Sequence, residues 1–217
     1  DLGMNNWMSE PFTYPEKPLD RGKVLTKEDL DRLGGFARYK DVDGDAIGWR
    51  TLPGTRHPKA AYFTRGSGHN DSAGYTEKPD EYLAIMDRLT RKFENARKLV
   101  PAPVFVKSNG SKVGFLAYGT TDFALRESID QIEQRYSTKV DYMRIRAYPF
   151  SHDIHDFVAA HERVYVVEQD RDAQLASLLK LDLPAEQITK LRSILHYNGL
   201  PVDAESITEE FIMREGL

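Results

Sequence analysis

Val113-Gly114-Phe115-Leu116-Ala117-Tyr118-Gly119-Thr120-Thr121-Asp122 passes from a short apolar run into a glycine, two hydroxyl residues and a carboxylate. Six residues of this kind read as a buried strand, and the Gly-Thr-Thr-Asp that follows reads as a turn and a helix cap. Downstream, Phe123, Ile129, Ile132 and Tyr136 fall on one helical face, which predicts a helix over Asp122 to Tyr136 with these four buried. The same alternation continues to the end of the chain. Strands are expected at Val140 to Ala147 and Val164 to Glu168, and near Ile194 to Tyr197. Helices are expected at Ile154 to His161, Ala173 to Leu181 and Ala204 to Met213, with a turn or helix from Pro184 to Leu191. Val104 to Val106 supplies a fifth strand at the start, so the segment reads as an α/β layer fold. Asn109-Gly110 by itself suggests that the first two strands pair as a hairpin.

Upstream the character changes. Residues 9 to 75 are punctuated by Pro11, Pro15, Pro18, Gly34-Gly35, Asp43-Gly44, Pro53-Gly54, Gly66, Gly68 and Gly74, which predicts an irregular excursion. One short helix interrupts it, opened by Thr26 with Glu28 and Asp29, carrying Leu30 and Leu33 on one face, and closed by Gly34-Gly35. From Pro79 to Leu99, the residues Tyr82, Ile85, Met86, Leu89, Phe93, Ala96 and Leu99 recur at spacings that predict a long amphipathic helix. So long an excursion is unusual inside an independent domain, and the expectation is that it drapes over a neighbouring domain or subunit.

The chain has 217 residues, 40% hydrophobic and 29% charged, with 11 Tyr and 10 Phe, a composition that folds. It contains no cysteine, which excludes disulfides, thiolate zinc sites, Cys-ligated iron–sulfur clusters and thiol nucleophiles. A net charge of −4 gives no electrostatic footprint for nucleic acid or an anionic membrane. No apolar run approaches a membrane span and no signal peptide is present, so the expected compartment is the cytoplasm. Asp1 in place of Met, followed by Leu2-Gly3-Met4-Asn5-Asn6-Trp7-Met8, reads as the interior of a longer protein.

Five clusters are candidates for chemistry. Gly119, Thr120 and Thr121 offer close backbone access and hydroxyls at a helix N-terminus, which suits an anion; capping would use the same residues. Gly66, Gly68, His69, Asp71 and Gly74 form a flexible loop that ranks as a contact loop above a catalyst, because His69 has no activated nucleophile beside it. His152 and His155 have a spacing that two metal ligands can use, without the remaining ligands. Asp41, Asp43 and Asp45 resemble a calcium loop, but the glycine is misplaced and no glutamate stands at the twelfth position, so a surface turn is expected. Glu168, Asp170 and Asp172 follow a strand at the sheet edge where α/β ligands bind, although carboxylates there are ordinary. No dinucleotide fingerprint, P-loop, nucleophile elbow or zinc motif is present, and no catalytic or metal residue is assigned.

Three stretches together resemble the α subunit of the 2-oxoacid:ferredoxin oxidoreductases, the 2-oxoglutarate branch in preference. They are Asp1 to Met8, then Phe36-Ala-Arg-Tyr through Leu52-Pro-Gly-Thr and Gly68-His-Asn-Asp-Ser-Ala-Gly-Tyr-Thr to Arg91-Lys92, and finally Val113 to Thr121 through Val164-Tyr-Val-Val-Glu168 and Gln174-Leu to Tyr197-Asn-Gly-Leu-Pro201. The resemblance implies residues 1–16 as the tail of a pyrimidine-binding domain, 17–100 as the excursion and long helix, and 101–217 as a transketolase C-terminal-like domain. It implies a three-layer α/β/α fold with a mixed five-stranded sheet, the first strand antiparallel to the rest, and another strand placed between the first two. It further implies that thiamine diphosphate, Mg and an iron–sulfur cluster belong to the parent complex rather than to this chain, with a β subunit, coenzyme A and ferredoxin as partners of that complex. Gly119, Thr120 and Thr121 are then coenzyme A candidates, and the loop from Gly66 to Gly74 a subunit contact. The chain departs from the family pattern at Asp170-Arg171-Asp172-Ala173-Gln174, where many relatives carry an Asn and a Gly before the Gln. Two other readings remain: a free-standing α/β interaction module, and the C-terminal domain of a transketolase or pyruvate dehydrogenase β-type subunit, which lacks the Gly-rich excursion.

Overall fold

The computed structural model describes residues 11–107 and 110–217. Two compact units divide the chain, one running to Leu99 and the other from Val100 to Leu217. The opening Asp1 to Met8 motif and Asn109 lie outside the described residues.

The C-terminal unit is built on five strands, β1 (Val104–Lys107), β2 (Val113–Tyr118), β3 (Asp141–Ile145), β4 (Arg163–Glu168) and β5 (Leu191–Leu195). Their order is β1-β3-β2-β4-β5, with β1 antiparallel to β3 and the other pairings parallel. The hairpin that Asn109-Gly110 suggests is therefore not formed; β3 lies between β1 and β2, as the family resemblance implies. The chirality and short connections of parallel βαβ crossovers account for the rest of the order. The last strand begins at Leu191, three residues before the expected Ile194, and absorbs the end of the segment expected to be a turn or helix. What remains of that segment is a single helical turn, α6 (Ala185–Ile188).

Alternation of side chains along β2 divides the core into two. Phe115 and Ala117 face α3 (Thr121–Tyr136) and α7 (Ala204–Glu215) in a cluster that holds Ile129, Ile132, Tyr165 and Phe211. Leu116 faces α4 (His152–Ala160) and α5 (Gln174–Asp182) with Met143, Phe157, Val166 and Leu179. The result is a three-layer α/β/α sandwich. On α3 the buried stripe is Leu125, Ile129 and Ile132, whereas Phe123 and Tyr136 are 46% and 41% exposed. The spacing argument chose the wrong residues at both helix ends, because the helix meets the sheet over its middle turns.

The N-terminal unit holds α1 (Lys27–Leu33) and α2 (Pro79–Ala96) in otherwise irregular chain. A capping box between Thr26 and Asp29 starts α1, and Gly34 at φ +69° ends it. Its core is small, with Leu25, Leu30 and Ala60 buried and Phe36 and Trp49 packed against them. Leu33, expected beside Leu30, is exposed. Along α2 only Ile85 and Arg88 are buried, and Tyr82, Met86 and Phe93 of the predicted apolar face stay exposed.

Gly114 shows how tightly the second core is closed. A Cβ there would lie 2.7 Å from the Phe157 ring and 3.1 Å from that of His161. Gly114→Ala is expected to cost about 1–3 kcal/mol in urea unfolding, by overpacking. Gly66→Ala, which meets open space, is expected to stay within about 0.5 kcal/mol of the parent.

Candidate functional site

In an open parallel sheet, ligands bind beyond the carboxyl ends of the strands where successive connections leave in opposite directions. Here that point lies between β2 and β4, since β2 connects through α3 to β3 on one side and β4 connects through α5 to β5 on the other, with α3 and α5 on opposite faces of the sheet. The residues that follow these strands are Gly119 to Asp122 and Gln169 to Asp172, which include the candidates Gly119, Thr120, Thr121, Asp170 and Asp172.

The crevice is filled by the protein's own polar groups. Gln169 follows β4 and its amide Nε2 donates to Thr121 Oγ1 at 3.1 Å, while its Oε1 accepts from the Val202 amide at 3.0 Å. Thr120 and Thr121 are 8% and 3% exposed, so their hydroxyls are turned inward. Gly119, at φ +61°, occupies the turn that a Cβ would strain, and its carbonyl accepts from Arg144 at 3.3 Å.

Asp122, the residue after Thr121, is 2% exposed and carries a network of its own. Tyr142 donates to its Oδ1 at 2.9 Å, Arg126 to its Oδ2 at 3.0 Å, and Arg144 lies 3.4 Å from the same oxygen. Burial, and then the Asp122 charge, raises the Tyr142 phenol far above its ordinary range, so it remains a donor at any working pH. Of this set only Asp122 was named from the sequence, as a cap; Arg126 lies four residues further along α3, and Tyr142 and Arg144 come from β3.

The N-terminus of α5 is likewise taken. Glu168 is fully buried at the end of β4, and its carboxylate accepts from the amides of Leu175 and, at 3.1 Å, Ala176. Burial, opposed by those two amides and assisted by the charge of Asp170, pushes its carboxyl up to about 7. Asp170 Oδ1 accepts from Asp172 and Gln174 amides at 2.9 and 3.3 Å. Asp172 is exposed and pairs with Arg171. Ala173, where the family pattern has glycine, sits in the left-handed region at φ +52°.

A cleft of about 740 Å³ opens to one side, between the ends of β2 and β3 and the start of α5. Gly119 lines it with Tyr118, Arg144, Arg146, Tyr148 and Gln174. Thr120 and Thr121 are not among its lining residues.

The other candidates are structural where they are described. The loop around His69 folds on itself: His69 bridges Tyr75, Thr76 donates to the Gly68 carbonyl at 3.2 Å, and Asn70 Oδ1 accepts from the Ser72 and Gly74 amides. The His69 ring stacks on Tyr39 with centroids 4.1 Å apart, and its Nδ1 donates to the Asn70 carbonyl at 2.9 Å. Gly66 and Asp71 are exposed. Oxygens of Asp41, Asp43 and Asp45 approach within 4.8 Å, but Lys23 Nζ lies 2.7 Å from Asp43 and supplies the counter-charge. His155 pairs with Asp182 at 2.9 Å, and the His152 cluster forms no ligand group among the described residues. The donor set of the chain does not fit an iron–sulfur cluster, because it contains no cysteine. Among the described residues no helix is long and apolar enough to cross a membrane.

The C-terminal unit is a mixed α/β sandwich whose switch-point crevice is occupied by its own side chains. No family model matches the sequence. The chain is 24% identical over 209 residues to the α subunit of 2-oxoacid:ferredoxin oxidoreductase 1 from Sulfurisphaera tokodaii, covering 92% of this chain and 31% of that one. The α subunit of a 2-oxoacid:ferredoxin oxidoreductase from a Sulfolobus species is similar to the same degree, 24% over 209 residues and 30% of its length. The chain thus spans about a third of the length of these curated relatives. Its fold matches part of a 2-oxoglutarate:ferredoxin oxidoreductase from Magnetococcus marinus, solved with 2-oxoglutarate, coenzyme A and succinyl-CoA, with a TM-score of 0.71 at 22% identity over 84% of this chain and 31% of that one.

Glu168 gives a pH signature. An acid whose folded pKa of about 7 exceeds its ordinary 4.5 takes up a proton on folding, so its contribution is most favourable below pH 4.5 and is lost as pH rises to about 7. Relative to Glu168→Gln, the wild-type chain is expected to lose at most about 1.4 kcal/mol per pH unit across that window, read from denaturant midpoints.

Proposed function

We propose that this chain is the C-terminal portion of the α subunit of a thiamine-dependent 2-oxoacid:ferredoxin oxidoreductase, of the 2-oxoglutarate type, which forms acyl-CoA and carbon dioxide and passes electrons to ferredoxin in the cytoplasm. Within it, residues 1–16 end a pyrimidine-binding domain, 17–100 form an assembly segment, and 101–217 are a transketolase C-terminal-like domain. The portion is structural and subunit-assembling, and catalytically silent alone.

The observation that carries this reading is that the similarity to the α subunits runs over 92% of the chain and so takes in the irregular excursion. A transketolase or pyruvate dehydrogenase β-type domain lacks that excursion, and a free-standing module has no reason to keep it. Support for the assembly role comes from the apolar residues the N-terminal unit leaves exposed, among them Phe12, Tyr14, Phe63, Tyr75, Tyr82 and Phe93. Exposed apolar surface of this extent marks a contact with another protein surface. The switch-point crevice, filled by Gln169 and Glu168, supports a silent domain. Any coenzyme A contact made here falls to Gly119, which lines the cleft, rather than to the inward-facing Thr120 and Thr121. The loop from Gly66 to Gly74, with exposed Gly66 and Asp71, is retained as a subunit contact.

Two measurements test this. The isolated chain is expected to reduce no dye acceptor with any 2-oxoacid, thiamine diphosphate, Mg and coenzyme A present, and it is expected to co-purify with a β subunit that carries cofactor. Turnover by the chain alone, or retention of a different protein in place of the β subunit, would contradict the proposal.

A further inference from the structure

The cleft beside Gly119 is separate from the filled crevice and has the make-up of a small-molecule site. Its volume of about 740 Å³ falls in the range of ligand pockets, and its walls are mostly apolar with a few polar groups at one end. Leu175, Leu178 and Phe150 supply apolar surface, and Tyr118 and Tyr148 line it with exposed rings.

Arg144 is held before any ligand arrives, with terminal nitrogens 3.4 Å from Asp122 and 3.3 Å from the Gly119 carbonyl. Arg146 follows two residues later, just past the end of β3, and is exposed at the cleft. Asp122 is the carboxylate against Arg144, and it is already shared with Arg126 at 3.0 Å, so one negative charge faces two guanidinium groups and leaves Arg146 outside the pairing. Both Arg144 and Arg146 line the cleft beside Tyr118 and Gly119. A guanidinium fork matches a phosphate or carboxylate, and tyrosine faces match a ring.

We propose that this cleft binds a small ring-bearing anion, with its phosphate or carboxylate at Arg144 and Arg146 and its ring against Tyr118 and Tyr148. The fixed Arg144 lowers the ordering cost of binding, and Arg146 supplies the charge that Asp122 does not neutralise. The inference stands on the cleft alone and holds whether or not the chain belongs to an oxidoreductase.

Backbone amide NMR of the 217-residue chain, titrated separately with phenyl phosphate, benzoate and inorganic phosphate, tests it. At least one ring-bearing anion is expected to give saturable shifts at Gly119, at residues 144–148 and at Leu175, and to bind more tightly than inorganic phosphate. Whichever of the two binds more tightly identifies the head group. Arg146→Gln, at an exposed position, is expected to weaken binding about tenfold or more without disturbing the remaining spectrum. Leu178→Glu, which places a negative charge at the rim on the exposed side of α5, is expected to weaken it as well. No saturable shift for either ring-bearing anion in the millimolar range, or equal affinity in Arg146→Gln, would overturn the proposal.

Discussion

The Gln169 side chain spans the point where the sheet's connections part, and the C-terminal unit is organised around that span. Its amide donates to Thr121 at the start of α3, and its oxygen accepts from Val202 ahead of α7. Three segments distant in sequence are tied by one neutral side chain in a position where related architectures hold a ligand. Next to it, Glu168 satisfies two amides at the start of α5, the place where an anion would otherwise sit. The start of α5 is thus satisfied from within, and buried polar groups that find partners inside the protein rigidify what surrounds them.

This arrangement accounts for the contrast between the units. The C-terminal unit carries two well-filled cores. The N-terminal unit has a three-residue buried core and displays aromatic side chains along α2 and the irregular chain. Burial of such surface drives protein association, and backbone without regular pairing becomes ordered at a contact more readily than alone. A scaffold domain joined to an apolar assembly segment is the physical content of the α-subunit reading.

The sandwich was legible from the sequence because its signals are local. Short apolar runs, helical periodicity and caps located every strand and helix to within a few residues, apart from β5, which was displaced toward the turn it follows. Strand order was not local: Asn109-Gly110 pointed to a hairpin, and only the family pattern placed β3 between β1 and β2. The error on α3 arises because periodicity identifies an apolar face without saying whether anything covers it, and the same limit left the burial of the α2 face unread. At the candidate site, Gly119 to Asp122 were found as a cap or anion turn. Gln169, Tyr142 and Arg144 were missed, because a glutamine after a strand and polar residues within one carry no signal until the fold brings them to Thr121 and Asp122. His69 and the Asp41 cluster were read as a contact loop and a surface turn. Their partners Tyr39 and Lys23 lie too far away in sequence to be inferred.

Hydrogen exchange of the chain, alone and mixed with a cofactor-bearing β subunit, tests the central claim most directly. The account predicts new protection in residues 34–75 and along the exposed face of α2, with Thr121, Gln169 and Leu175 equally protected in both samples. Protection gained at the Thr121 and Gln169 crevice, with none in the excursion, would contradict it.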